Sequence, residues 1–307
     1  MAKANGATRL PKKDYEARVP ALRGALVQMQ VELQHAPFPI LLVVAGDEAS
    51  GKGDVVNLLN AWLDPRGVET FAFHEPTDEE RERPPMWRYW RCLPPRGRMA
   101  IYAGGWHADA LRANPHTPGE LDHFAERLRL FAHFERLLAD GGALIVKVWL
   151  QLSQAAQRER LLALESDPDT AWRVTAEDWQ HNRDYEYHAR LSEQMRRATH
   201  KPGVPWHVID ATDPRARNLA VTECVLASFR RQLAAQLKIG PAAKPRRTVS
   251  LRPTGLRRLL FVWFRVYVRE TRGQKVELTN VRIPVPIPLI GVLLARKLDA
   301  AKAARLV

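Results

Sequence analysis

Between the apolar run Ile40-Leu41-Leu42-Val43-Val44 and a helical pattern opening at Val55 lies the segment Ala45-Gly46-Asp47-Glu48-Ala49-Ser50-Gly51-Lys52-Gly53-Asp54. Gly46, four intervening residues, then Gly51 and Lys52 give the Gly-x-x-x-x-Gly-Lys spacing of a phosphate loop. In such a loop, glycines at Gly46, Gly51 and Gly53 let backbone N–H groups curl round phosphate oxygens at a helix N-terminus. Lys52 is placed to meet the terminal phosphates, which makes it the first candidate catalytic residue. The position after the lysine, where a Ser or Thr hydroxyl ordinarily ligates magnesium, is Gly53. A metal must therefore be held some other way or not at all, and Glu48 is the substitute ligand within the loop and the second candidate catalytic residue. The same segment also reads as a plain strand-to-helix turn whose glycines serve backbone geometry and whose lysine is a surface charge.

A second cluster runs from His74 to His107. Arg81, Arg83, Arg88, Arg91, Arg96 and Arg98 place six guanidinium groups within eighteen positions, interleaved with Trp87, Tyr89 and Trp90. Arginine grips phosphate with a planar fork, and aromatic rings can stack on a base. The alternative is an amphipathic surface helix with tryptophans inward and charges outward.

Apolar runs bounded by turn signals recur at intervals that leave room for crossover helices, the pattern of a parallel sheet. Strands are predicted at Ile40 to Ala45, Val68 to Phe73, Met99 to Tyr102, Ala143 to Trp149 and Trp206 to Ile209. Helices are predicted at Asp14 to Gln34, Val55 to Leu63, Leu121 to Leu138, Gln154 to Leu164, Ala176 to Ala198 and Arg215 to Leu237. No internal repeat is visible. After Leu237 the composition shifts: Lys238 to Pro253 has the Pro, Gly and basic content of a linker. Beyond it, apolar stretches are broken by arginines and by Pro284, Pro286 and Pro288, which exclude a central strand or helix interior there. The expected division is a disordered basic tail at 1–13, a main domain at 14–238, and a linker with a small basic apolar appendage at 239–307.

With 307 residues and 46% hydrophobic content, the chain can bury one large α/β core with a small appendage. A net charge of +13 points to a polyanion: nucleic acid, an acidic membrane surface or a phosphate polymer, with simple solubility as the plain alternative. Nucleic acid ranks last, because the arginines sit beside a phosphate loop and not along a recognisable nucleic-acid fold. The mixture of arginines and aromatics in 255–307 suits a membrane surface or a partner groove, and equally packing on the main domain or self-association. Cys92 and Cys224 show neither metal-ligand spacing nor a disulfide framework, which fits a reducing, cytoplasmic setting. The N-terminus has no apolar core for a secretory signal, and no window holds the roughly 18 apolar residues of a membrane-spanning helix.

Taken together, these segments resemble the polyphosphate kinase 2 family, enzymes that move phosphoryl groups between inorganic polyphosphate and nucleotides. The resemblance rests on Gly46 through Gly53, Glu75-Pro76-Thr77, Pro85 through Tyr89 leading to Leu93-Pro94, and Gly97. It continues through Trp106, Lys147, Trp149, Asp178-Trp179 and Pro205-Trp206, covering residues 14 to 235. The stretch EPTDEERERPPMWRYW looks closest to the amino-terminal half of the two-domain polyphosphate:AMP phosphotransferases. The family implies a P-loop kinase-like parallel sheet sandwiched by helices, Mg2+ as cofactor, polyphosphate with AMP, ADP or ATP as partners, and assembly as a homo-oligomer. It also implies that Glu75, Thr77, Arg81, Arg83, Trp87, Arg88 and Lys147 contact polymer or nucleotide.

Two departures stand against that pattern. The family's loop aspartate is Glu48 here, and its Asp-Arg pair after the third strand, which binds magnesium and phosphate, is Ala103 and Gly104. His107 and Asp109 are candidate replacement ligands that read first as turn residues. Two functions follow: a polyphosphate-dependent nucleotide phosphotransferase with a degenerate metal site, or a non-catalytic polyphosphate-binding or nucleotide-binding, regulatory homologue.

Overall fold

The computed structural model of the chain describes residues 9–239, 261–272 and 275–286, the last two stretches and residues 237–239 by backbone alone. The chain divides into two compact units, Met1–Gly240 and Pro241–Val307. In the first unit the apolar run after Pro39 becomes β1 (Ile40–Gly46), which is buried on both faces and so reads as an unbroken hydrophobic stretch. β2 (Val68–Ala72), β3 (Met99–Ala103), β4 (Leu144–Gln151) and β5 (Trp206–Asp210) join it in a parallel sheet of order β2-β3-β1-β4-β5. Ile40 lies opposite Met99 on one side and Leu144 on the other.

Because successive strand residues point to opposite faces, β1 feeds two cores. Ile40, Leu42 and Val44 pack with Leu26, Leu59 and Phe229 from α1 (Lys12–Leu33), α2 (Lys52–Trp62) and α10 (Pro214–Ile239). Leu41, Val43 and Ala45 pack with Trp106, Phe131, Phe134 and Met195 from α5 (Gly105–Arg112), α6 (Pro118–Asp140) and α9 (Tyr185–Thr199). The predicted parallel sheet sandwiched by helices is therefore the observed fold.

Local capping explains several helix starts. Thr117 and Glu120 form a reciprocal capping box with Pro118 at the first helical position, which starts α6 three residues before the apolar periodicity reveals it. Ser153 caps α7 (Gln154–Ser166). The helix expected to run from Ala176 to Ala198 is two helices, α8 (Ala176–Arg183) and α9, parted at Asp184. Asn182, Arg183 and Asp184 include two weak helix formers, and the Asn182 amide is drawn to Gln154 and Gln157 on α7, so the chain turns there. At the N-terminus, α1 opens at Lys12, and Arg215 donates to the Leu10 carbonyl at 3.1 Å, so residues 10–13 of the segment predicted as a tail are held on the main domain.

In the second unit, β6 (Phe261–Arg272) and β7 (Lys275–Pro286) form an antiparallel hairpin in which Trp263 faces Pro284 and Arg272 faces Lys275. Both strands of a two-stranded sheet are edges, the setting in which a proline without an N–H is tolerated. The rest of the predicted linker and appendage, including Pro288, and tail residues 1–8 lie outside the described residues. Among the described residues no helix is long and apolar enough to cross a membrane.

Lys147, expected at the nucleotide or polymer, sits in mid-β4 with its side chain fully buried between the sheet and α6. Its ammonium donates to Glu135 Oε2 and to the Thr199 carbonyl, both at 2.7 Å. The other Glu135 oxygen accepts from the Trp106 indole at 3.1 Å and lies 3.0 Å from His107 Nε2. A cation saturated by a buried carboxylate has no reason to leave it, so Lys147 is a core residue and not a ligand contact. Burial pushes the Glu135 carboxyl up, but His107 and Lys147 outweigh it and hold it below its ordinary value; burial likewise holds the His107 imidazole below its ordinary value. Both groups bind protons more readily unfolded than folded, so stability is complete above their unfolded values and falls on acidification. Glu135→Ala, which leaves Lys147 buried and unpaired, should lose about 3–5 kcal/mol of stability. In urea titrations the wild-type midpoint should fall as pH drops through the ordinary histidine range near about 6.5, and continue falling through the carboxylate range.

Candidate functional site

The loop after β1 is shaped by how closely it passes its neighbours. A Cβ on Gly46 would lie 2.4 Å from the Leu150 carbonyl oxygen, so only glycine lets the end of β1 run against β4. The register is then locked from both directions: Asp47 N–H donates to Leu150 O at 2.9 Å, and the Asp47 carboxylate accepts from Leu152 N–H at 2.8 Å. Gly51 takes φ 84° at the N-cap of α2, and a Cβ there would meet the Arg217 guanidinium at 1.8 Å. That guanidinium is buried behind the loop and donates to the Ser50 carbonyl at 2.8 Å. Gly53 has open space where a Cβ would go, so no steric need requires glycine there. The first-turn N–H groups of α2, like those of any helix, have no intrahelical acceptor, and no side chain caps them, the arrangement that receives an anion.

Lys52 bends back over the loop, donating to Gly46 O at 3.1 Å and to Glu48 Oε2 at 3.0 Å. The ammonium holds the Glu48 carboxyl below its ordinary value, while burial raises that of Asp47 despite the Leu152 N–H. A phosphate entering the loop offers Lys52 more negative charge than Glu48 does, and frees Glu48 to accept elsewhere.

These groups face a cavity of about 400 Å³. Gly46, Asp47, Glu48 and Lys52 form one wall, Ala103, Gly104 and Arg112 a second, and Glu177, His181, Tyr185 and His188 a third. The break at Asp184 matters here, because it brings α8 and α9 to the same cavity. The His181 and His188 rings stand 4.2 Å apart, and burial, followed by the charge of His181, holds His188 below its ordinary value. Gly104 has φ 75° and Gly105 φ 59°, and a Cβ on Gly104 would lie 2.8 Å from the Ala108 Cβ. The end of β3 is thus not merely short of two side chains: its backbone follows a path that glycine alone accepts without strain, and opens α5 with no capping side chain.

Beside the loop, Asp54 draws in three guanidinium groups from separate elements. Arg160 lies at 2.6 Å, Arg173, from the turn Ala171–Arg173, at 3.3 Å, and Arg217 at 3.7 Å. One carboxylate cannot neutralise three cations, so this rim remains positive.

The arginine and aromatic cluster is placed differently from expectation. Thr77 caps the short helix α3 (Asp78–Arg81), its hydroxyl accepting from Glu80 N–H. Arg81 pairs with Asp78 at 2.7 Å and Arg83 with Glu79 at 3.4 Å. Trp87 opens the next helix, α4 (Trp87–Trp90), flanked by the guanidinium groups of Arg83 and Arg91. Arg88, nearly buried, donates to His74 O at 3.0 Å and neighbours Glu80 and Asp109. Glu75 pairs with Arg112 at 3.5 Å. None of Glu75, Thr77, Arg81, Arg83, Trp87, Arg88 or Lys147 lines the cavity; of the residues expected at the site, the structure brings together Gly46, Glu48 and Lys52, with Gly51 supporting them from behind. The physical reason is pairing inside the protein: Arg81 and Arg83 have a carboxylate within one helical turn, and Arg88 lies beside Glu80 and Asp109. His107 is in the core and Asp109 is bonded by the Tyr89 hydroxyl and Arg112, so neither replaces the missing metal carboxylate. Asp47, Arg112, His181, Tyr185 and His188 were not foreseen. The one local signal for the last three was the run of weak helix formers that breaks the helix.

A family model described as polyphosphate kinase 2 matches residues 9–236. The chain is 39% identical over 239 residues to the polyphosphate:AMP phosphotransferase of Pseudomonas aeruginosa, covering 77% of this chain and 48% of that protein. To the protein of the same name from Pseudomonas syringae pv. tomato it is 38% identical, covering 75% and 47%. The chain thus spans about half the length of these relatives. The crystal structure of a putative polyphosphate kinase 2 from Pseudomonas aeruginosa superposes with TM-score 0.64 at 36% identity, over 75% of this chain and 47% of that one.

The glycine geometry predicts two opposite outcomes. Gly104→Ala should lose about 1–3 kcal/mol in urea denaturation, because a side chain must adopt a strained backbone and meet Ala108. Gly53→Ala, at an open helical position, should be neutral or stabilising by up to about 1 kcal/mol.

Proposed function

The chain belongs to the polyphosphate kinase 2 family, and on that premise we propose that it transfers phosphoryl groups between inorganic polyphosphate and a nucleotide, AMP or ADP. The observation that carries this reading is the convergence of Lys52, Glu48 and the uncapped N-termini of α2 and α5 on a single cavity. In the transfer, the bond between the terminal phosphorus and the bridging oxygen of the polymer breaks. A phosphate oxygen of the nucleotide bonds to that phosphorus, and the polymer leaves one unit shorter. Such transfer depends on positioning and on neutralising charge. Lys52 and the first-turn N–H groups of α2 would hold the transferring phosphate, and the rim at Arg160 and Arg173 would carry the adjoining polymer.

Magnesium takes one or two protein carboxylates and completes its shell with phosphate oxygens and water. Glu48 and Asp47 are the carboxylates that the loop itself gives to the cavity, and among the described residues no group of three or more His, Cys, Asp and Glu stands ready for a metal. The donor set therefore fits magnesium brought in with phosphate, held chiefly by Glu48, and not a dedicated protein cage. When bound, the ion would supply neutralisation of phosphate charge. We also place the protein in the cytoplasm, on its cysteine pattern, and as a homo-oligomer, on the family pattern, and offer 255–307 for membrane or protein contact.

A second reading, a non-catalytic polyphosphate or nucleotide binder, is favoured by one observation: β3 ends at Ala103 and is followed by Gly104, with no metal carboxylate or phosphate arginine, and the left-handed backbone at Gly104 would strain any side chain placed there. A coupled assay for ADP or ATP formation from polyphosphate, with pure protein and excess magnesium, separates the two. Turnover supports the first reading; binding without turnover supports the second. In calorimetric titrations Lys52→Ala should weaken phosphate-ligand binding by about 1.5–3 kcal/mol, the range for a hydrogen bond to a charged group. Long-chain polyphosphate should bind more tightly than tripolyphosphate, and its advantage should shrink as salt rises.

A further inference from the structure

We propose that Arg112 is the phosphate-gripping guanidinium of this cavity, delivered from the last turn of α5 in place of any cation at the end of β3. The proposal rests on the phosphotransferase reading above. Gly104 cannot readily carry an arginine: its φ of 75° and the Ala108 Cβ at 2.8 Å exclude an unstrained side chain. Two turns later Arg112 enters the wall of the same cavity as Lys52 and Glu48.

Its position is prepared. Arg112 Nη1 donates to Asp109 Oδ1 at 2.9 Å and Nη2 to the Phe73 carbonyl at 3.2 Å. Asp109 is in turn nearly buried and fixed by the Tyr89 hydroxyl, with Arg88 at 3.7 Å. Hydrogen bonds to described residues thus use two of the five guanidinium donors, and the side chain is 34% exposed. Arg88 shares Asp109 but is 11% exposed and does not line the cavity. A planar fork with donors to spare, anchored on Asp109 and Phe73 and lining the same cavity as the phosphate loop, suits a terminal phosphate, whether of a nucleotide or of the polymer. Glu75 is the one partner that is largely exposed, at 69%, and lies 3.5 Å from Arg112 Nη1. An incoming phosphate would compete with it.

Isothermal titration of the full chain with AMP and, separately, with tripolyphosphate tests this, alongside urea midpoints for each variant. Arg112→Gln should lower affinity for at least one of the two about tenfold or more, and the ligand affected identifies which phosphate the fork holds. Arg112→Lys should recover part of the loss. Glu75→Gln should raise the same affinity, an outcome that a purely structural staple between α5 and the end of β2 does not produce. Unchanged affinity for both ligands in Arg112→Gln, with binding lost in Lys52→Ala, would overturn the assignment while leaving the phosphate-loop reading intact. Matching losses of affinity and of urea midpoint in Arg112→Gln and Glu75→Gln would also overturn it, by showing a staple. A wild type that binds neither ligand sinks this assignment and the phosphotransferase reading together.

Discussion

The site hangs on one close approach, that of Gly46 to the backbone of Leu150. Without a Cβ, the end of β1 can press against β4, and Asp47 then exchanges hydrogen bonds with the end of this neighbouring strand and the residue after it, through Leu150 O and Leu152 N–H. The loop that follows is aimed by these contacts before any ligand arrives. Arg217 performs the matching task from behind, its buried guanidinium filling the space against Gly51 and holding Ser50 O. Two glycines with different duties, one for strand contact and one for a left-handed turn, thus fix where the N-terminus of α2 points.

Charge in this protein is abundant, and near the site part of it is committed. The net +13 suggests a broad attraction for polyanions, yet many arginines near the loop already answer to a neighbouring carboxylate. At the cavity and its rim a ligand would meet Lys52, held only by its own loop, Arg112, with unused donors, and Arg160 and Arg173 around Asp54, whose third guanidinium neighbour, Arg217, is buried. Long-range field and local grip come from different residues. In the proposed reading, the first would bring a polymer near, and the second would decide where its phosphates rest.

The end of β3 shows how a site changes with its backbone. Removing a carboxylate and an arginine would leave an ordinary strand end onto which both could be restored. Successive positive φ values at Gly104 and Gly105 instead turn the chain directly into α5. The cavity gains an uncapped helix N-terminus and an arginine two turns along, so the electrostatic character of that wall is rebuilt from other parts.

Much of the fold was legible in the chain because its signals are local. Unbroken apolar runs mark buried parallel strands, Gly46, Gly51 and Lys52 mark a turn into a helix that can receive phosphate, and the motif order from Gly46 to Trp206 marks the family. The roles of single charged side chains were not legible, because they depend on what lies across the fold. Lys147 carries the same charge as Lys52, but its place in mid-β4 points it at Glu135 on α6. Arg88 was expected at the ligand and Arg112 was not, yet Asp109 holds both and burial separates them. A spacing pattern dictates which backbone forms; only the packed neighbours decide whether a charge is spent inside the protein or left for something else, since desolvation and pairing are set by residues distant in sequence.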